Sequence, residues 1–216
     1  MLPNLLDPIE VRVLGALLEK ESTTPEYYPL TLNSLVTACN QKSNRFPYVQ
    51  YDDTTVAQAL ELLKNKRYAA VIVSGGRALK YAQRFSETLN LGRRELALLC
   101  TLMLRGAQTL GELRDRSDRM HHFEDLTQVE SVLDHLAEAQ LAVRLARAPG
   151  QKESRYAHLL SGEPSQQEAA PYEPTRTMLP DRFGALEIEV SDLRERVRRL
   201  EELLENYGGE RNGSIC

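Results

Sequence analysis

The sequence predicts a mainly α fold with small β-hairpins, an α+β chain in which two tandem winged-helix domains precede a C-terminal coiled-coil helix. Three observations predict it. Residues Asp52–Leu63 slide onto Asp125–Leu136 with their apolar positions in step, so the chain contains an internal repeat. Each copy is followed by apolar segments flanking a turn, the pattern of a hairpin. Near the C-terminus the apolar residues fall alternately four and three apart, a heptad seam.

The first repeat opens on Asp7-Pro8-Ile9-Glu10, which supplies an N-cap, a proline at the first helical position and a glutamate placed to close a capping box. Val11, Leu14, Leu17 and Leu18 then recur at helical spacing until Ser22-Thr23-Thr24-Pro25 breaks the run. A second helix starts near Thr31, carries Leu32, Leu35, Val36 and Cys39, and gives way to the polar stretch Asn40–Arg45. A third begins after Asp52 or Asp53, with Val56, Ala59, Leu60 and Leu63 as its core stripe. Tyr68–Val73 and Ala78–Ala82 flank Ser74-Gly75-Gly76-Arg77, completing a hairpin, and three helices followed by a hairpin make a winged helix.

The second repeat keeps the order. Glu95–Leu104 forms its first helix, Thr109-Leu110-Gly111-Glu112 is a capping box for its second, and Asp125-Leu126-Thr127-Gln128 resembles one for its third. A hairpin runs from Leu141 through Leu145 to a tip at Ala148-Pro149-Gly150 and returns by Arg155-Tyr156-Ala157. Tyr81 and Tyr156 are expected at equivalent returning-strand positions, since each follows a basic residue, Lys80 or Arg155.

These signals divide the chain into a first domain over 1–90, a second over 91–160, a linker over 161–182, a helix over 183–207 and a disordered tail over 208–216. Prolines 171, 174 and 180 keep the linker extended. In the seam, Val190, Val197 and Leu204 take a positions and Leu186, Leu193 and Leu200 take d positions, which favours a parallel homodimer. The alternative is an amphipathic helix packed back on its own body.

Composition limits the function. The net charge of -4 comes from the region after residue 160; the two repeats are neutral, which excludes a strongly basic DNA-binding domain and leaves any phosphate contact to local clusters. The longest apolar run, Leu96–Leu104, is far short of the roughly 20 residues of a membrane span, and no basic segment leads an apolar one at the N-terminus. A cytoplasmic protein without a membrane partner is expected. Cys39 and Cys100 lie in helical apolar patterns and read as core residues, while no cysteine and histidine cluster offers a metal site. No cofactor is expected. Nothing sets a nucleophile beside a base, and Gly75-Gly76 lies in a hairpin rather than before a helix, so the chain does not read as an enzyme.

The segments Leu6–Lys20 and Tyr28–Leu35, followed by Cys39-Asn40-Gln41-Lys42-Ser43-Asn44-Arg45, resemble the YceH-like proteins of bacteria over nearly the whole chain. The resemblance implies a tandem winged-helix fold and carries over neither a function nor catalytic residues. Phe46-Pro47-Tyr48 departs from the usual wording of that family.

In helix-turn-helix proteins one helix reads base edges while nearby cations and amides hold phosphates. In the first repeat the third helix offers Thr54, Thr55 and Gln58, the loop before it offers Gln41, Lys42, Ser43, Asn44 and Arg45, and the hairpin offers Arg77 and Lys80. No acidic residue occurs from Leu30 through Tyr51. Asn40–Arg45 reads equally as a solvated polar loop that caps the second helix. In the second repeat Glu130, Asp134 and Glu138 lie on the third helix, and the cations Arg144, Arg147, Lys152 and Arg155 lie on the hairpin; this half either grips DNA backbone or docks a protein. The expected function is double-stranded DNA binding by a dimeric transcriptional regulator, the alternative a protein-interaction scaffold built from winged helices without DNA binding.

Overall fold

A computed structural model describes residues 5–73, 79–147 and 153–164. Among them the chain is mainly helical with small antiparallel sheets: seven α-helices and five short strands. In chain order these are α1 (Pro8–Thr23), β1 (Leu30–Thr31), α2 (Leu32–Cys39), α3 (Asp53–Asn65), β2 (Ala69–Ile72), β3 (Lys80–Gln83), α4 (Phe85–Leu89), α5 (Arg93–Arg105), α6 (Leu110–Ser117), α7 (Leu126–Glu138), β4 (Ala142–Arg144) and β5 (Tyr156–His158). The hairpin turn with Arg77, the tip with Lys152, the linker beyond residue 164 and the whole heptad seam lie outside the described residues.

The helix starts are those the side chains dictate. Asp7 accepts from the N–H groups of Ile9 and Glu10, and Glu10 returns a carboxylate to the Asp7 N–H at 2.8 Å, a closed capping box. Thr109 and Glu112 repeat this arrangement at α6. Thr31 and Asp52 cap α2 and α3. At α7 only half of the expected box forms. Asp125 accepts from the Gln128 N–H, but the Gln128 amide donates to Glu124 instead of returning to the cap.

The repeat holds at the level of individual hydrogen bonds. Both α2 and α6 have eight residues and follow a threonine cap; both α3 and α7 have thirteen and follow an aspartate cap. Each third helix ends in a Schellman turn. Tyr68 N–H reaches Leu63 O in the first half and Leu141 N–H reaches Leu136 O in the second, both at 2.8 Å, with left-handed Arg67 (φ 63°) and Gln140 (φ 56°) before them. Tyr81 opposes Val71 on one side and Leu30 on the other; Tyr156 opposes Arg144 and is bridged to Gln108. Leu30 and Gln108 each stand one residue before a threonine cap, so the two tyrosines are equivalent, as their sequence neighbours indicate.

The halves do not keep separate cores. One hydrophobic cluster runs from Leu6 to Leu160, with Leu14, Leu17, Leu35, Leu60 and Leu63 from the first half and Leu98, Leu102, Leu113 and Leu133 from the second. The junction is α1 against α5. Helix α1 is buried continuously from Glu10 to Leu18, and α5 from Ala97 to Leu104, because each serves its own half on one face and the opposite half on the other. Gly15 permits the close approach: a Cβ there would meet Leu104 at 2.9 Å. Cys100 Sγ donates to Gly15 O at 3.3 Å across the same contact. The ends of this unit are also tied, through Leu6 N–H to Leu160 O at 2.8 Å.

Candidate nucleic-acid interface

Helix α3 leaves one face uncovered. Val56, Ala59, Leu60 and Leu63 point inward and are buried, as the periodicity predicts, which turns Thr54 and Gln58 to the surface. Thr55 is half-buried, and its N–H caps onto Asp52 Oδ1 at 2.7 Å. Hydrogen bonds from the Thr55 side chain and backbone hold the Asp52 carboxyl below its ordinary pKa. Further along the face Glu61 is neutralised by Lys64 at 2.9 Å. The exposed surface therefore carries hydrogen-bonding Thr54 and Gln58 beside the acidic helix start at Asp52 and Asp53.

The preceding loop is built differently from the loop that the polar sequence suggests. Residues 40–52 run five longer than the equivalent connection 118–125, and the extra length is used to bind the two halves together. Arg45 is buried, not phosphate-facing. Its guanidinium grips Glu19 of α1, with Nη2 to Oε2 at 2.5 Å, and donates to Ala38 O, Asn44 O and Gln41 Oε1. This corrects the sequence-based expectation: the Ala38 carbonyl of α2, the loop's own Asn44 and Gln41 oxygens and an α1 carboxylate offer Arg45 a complete set of acceptors indoors. Gln41 is occupied by the same network, and Asn44 Oδ1 accepts from Arg105 at 2.5 Å. The loop is fastened further by Asn40 paired to the Tyr51 backbone in both directions, and by Phe46 N–H on Leu104 O at 2.8 Å. Lys42 and Ser43 remain exposed at its outer turn.

The hairpin residues separate similarly. Lys80 is half-buried on β3, opposite Thr31 and Ile72. Arg144 is exposed but sits 3.8 Å from Glu130 and over the Tyr156 ring. Arg147 is exposed, while Arg155 turns inward to Glu112 at 2.8 Å and to Ala107 O at 2.9 Å. Arg155 is thus a second correction, since the carboxylate that closes the α6 capping box also captures this cation. The predicted residues consequently form three groups: Thr54, Thr55 and Gln58 on α3, Gln41, Asn44 and Arg45 in the loop network, and Arg144 with Arg155 on either side of Tyr156. Lys42, Ser43, Lys80 and Arg147 stand outside these groups.

Residues 6–151 match the family described as "Protein of unknown function, DUF480". The chain is 53% identical over 197 residues to a UPF0502 protein of Geobacter sulfurreducens, covering 88% of this chain and 90% of that one. It is 50% identical over 204 residues to a UPF0502 protein of Solibacter usitatus, covering 94% and 98%. The chain belongs to the UPF0502 family. A UPF0502 protein of Citrifermentans bemidjiense is 56% identical over 167 residues, 76% of this chain and 78% of that one. The YceH-like resemblance of the sequence is a match to this same family.

In this UPF0502 chain the sequence reading missed Arg12. It is 4% exposed on α1 and donates to Cys39 O at 3.2 Å and Pro47 O at 2.6 Å. A signal for it was present in the run Val11–Leu18, where Gly15 and Ala16 provide a second small-residue face beside the leucine stripe. A helix buried on two faces leaves little surface for an intervening arginine. The same burial makes the thiols inert: it pushes Cys39 up to about 12 and Cys100 higher still. No group of three or more histidine, cysteine, aspartate or glutamate side chains among the described residues is placed to hold a metal ion. None of the described helices is long and apolar enough to cross a membrane.

Proposed function

We propose that this UPF0502 protein is a tandem winged-helix protein that binds double-stranded DNA as a dimeric transcriptional regulator, with its first half as the reader. The observation that supports this most is the uncovered N-terminal half of α3, carrying Thr54 and Gln58 on a three-helix-and-hairpin scaffold. An α-helix of this kind fits the major groove, where a glutamine amide pairs with adenine N6 and N7 and a threonine methyl meets the thymine methyl. Lys42 and Lys80 supply the phosphate contacts that fix register. Asp53 on the same helix end works against affinity, so a single half binds weakly; dimerisation through Leu186, Val190, Leu193, Val197, Leu200 and Leu204 restores it by avidity.

The second half suits a different task. Asp134 and Glu138 are exposed on α7 and Glu130 offsets Arg144, leaving a surface of the wrong sign for phosphate. In this proposal it docks a protein, and if both halves did so the chain would be a scaffold.

Titration of the full chain with duplex DNA at low and physiological salt tests the reading. Salt-sensitive binding is expected, with Lys42→Ala and Lys80→Ala each reducing the salt slope by about one and Gln58→Ala altering sequence preference. Absence of binding at low salt would reject DNA as the ligand and leave the scaffold.

A further inference from the structure

Arg45 lies within electrostatic reach of both Arg12 and Arg105 where the 40–52 loop crosses the junction of the halves. Glu19 is committed to Arg45 through both oxygens. Arg12, nearly fully buried, donates among the described residues to the carbonyls of Cys39 and Pro47. Arg105 donates to Asn44 and has no carboxylate within ion-pair distance among the described residues. A buried cation such as Arg12 with no carboxylate at ion-pair distance among the described residues is unusual, since desolvating a charge costs heavily unless it is paired.

Beside them opens a cleft of about 180 Å³, walled by Val11, Val49, Tyr51 and Met103 and bordered by Arg12 and Arg105. A cavity of roughly 150 Å³ accommodates a benzene ring, so this one takes a single ring or a short chain. An adjoining cleft of about 290 Å³ shares Pro8, Gly106, Ala107, His158 and Ser161 with it and carries the carboxylate of Glu163, which disfavours a larger acid reaching into it.

We infer that this cleft binds a small organic monocarboxylate, an aromatic or short-chain acid whose carboxylate pairs with Arg12 and Arg105 while its apolar body lies against Val11 and Met103. The planar guanidinium fork matches a carboxylate in a bidentate manner, and Arg12 uses two of its five donors on backbone. Burial first, and then neighbouring arginines, lower the pKa of both groups, although Glu19 partly offsets this at Arg105. An inorganic anion would satisfy the charge but leave the apolar walls uncovered. Occupancy of this cleft requires nothing of DNA binding.

The test uses the full chain with ¹³C-methyl methionine, titrated with benzoate, hexanoate, benzyl alcohol and inorganic phosphate. Benzoate or hexanoate is expected to shift the Met103 methyl saturably and leave that of Met120 in place. Benzyl alcohol and phosphate are expected to produce no saturable shift. Arg105→Met is expected to weaken benzoate about ten-fold or more, and Arg105→Lys, which keeps the charge for folding but loses the planar fork, at least about three-fold. The inference is overturned by an unmoved Met103 with both acids, by an equal response to benzyl alcohol or phosphate, or by unchanged benzoate affinity in a folded Arg105 variant.

Discussion

Arg45 holds Glu19 through two parallel hydrogen bonds, Nη1 to Oε1 at 3.0 Å and Nη2 to Oε2 at 2.5 Å, joining the loop after α2 to the C-terminal part of α1. The arginine side chain is fully buried, while 15% of the glutamate side chain remains exposed. Removing one member of such a pair strands the other in a medium that solvates it poorly. Arg45→Met is therefore expected to lower unfolding free energy by about 3–5 kcal/mol, measured by urea denaturation at neutral pH. In a double-mutant cycle with Glu19→Gln the two losses are expected to be clearly less than additive. Full additivity would show that the pair carries no interaction of its own. Because the defect lies in folding, the salt slope of any DNA complex should be unaffected where the variant remains folded.

Gly15→Val tests the junction of the halves. The added carbons project onto Leu104 and Met103, where even a Cβ would lie at 2.9 and 3.4 Å. Overpacking of this order costs about 1–3 kcal/mol. The melting temperature should fall, with both halves melting in one transition. A variant as stable as the parent would mean that α1 and α5 can separate without loss.

Arg67→Gly should raise stability, against the usual direction for a glycine. Arg67 adopts φ 63° after α3, where a Cβ is penalised, and its side chain is exposed. The expected gain is about 1 kcal/mol, read as a higher urea midpoint with an unchanged slope. A lower midpoint would show that the greater freedom of glycine in the unfolded chain outweighs the relief.

Glu21 supplies a pH dependence. Burial raises its carboxyl above the ordinary value, and the Gln83 amide, donating at 2.7 Å, only partly opposes this. With the native pKa above the unfolded one, the group's favourable contribution is complete below the unfolded pKa and is lost as pH rises through the native pKa. Glu21→Gln keeps an acceptor for Gln83 and removes the charge, so it should be more stable than the parent at pH 7–8 and equal to it near pH 3. An identical gap at both pH values would assign the effect to packing instead.

The local fold could be read from sequence because its determinants are local. Asp7, Thr31, Asp52 and Thr109 cap helices through residues two or three positions away, and the α3 stripe from Val56 to Leu63 repeats within two turns. Tyr81 and Tyr156 could be matched because each follows a basic residue, Lys80 or Arg155, at the start of the returning strand. Short elements escaped: β1 has two residues, and α4 is organised around Phe85, whose ring meets Tyr68 edge-on at 5.1 Å. The candidate site was less legible than the fold. Whether a loop arginine faces solvent or interior depends on acceptors far along the chain. For Arg45 these include Glu19, 26 residues earlier, and for Arg155 they include Glu112, 43 residues earlier. Thr54 and Gln58 could be placed outward because helical periodicity alone decides their direction.

The shared core between α1 and α5 makes the described unit a caliper. Where two domains on a supple hinge would let their third helices search independently, α3 and α7 are set at a constant span and angle by side chains interlocked about Gly15. A ligand touched by both must already have the matching spacing or be bent to it. Were both helices to touch one ligand, its selectivity for length and curvature would be set in the protein's interior, away from every residue making the contact.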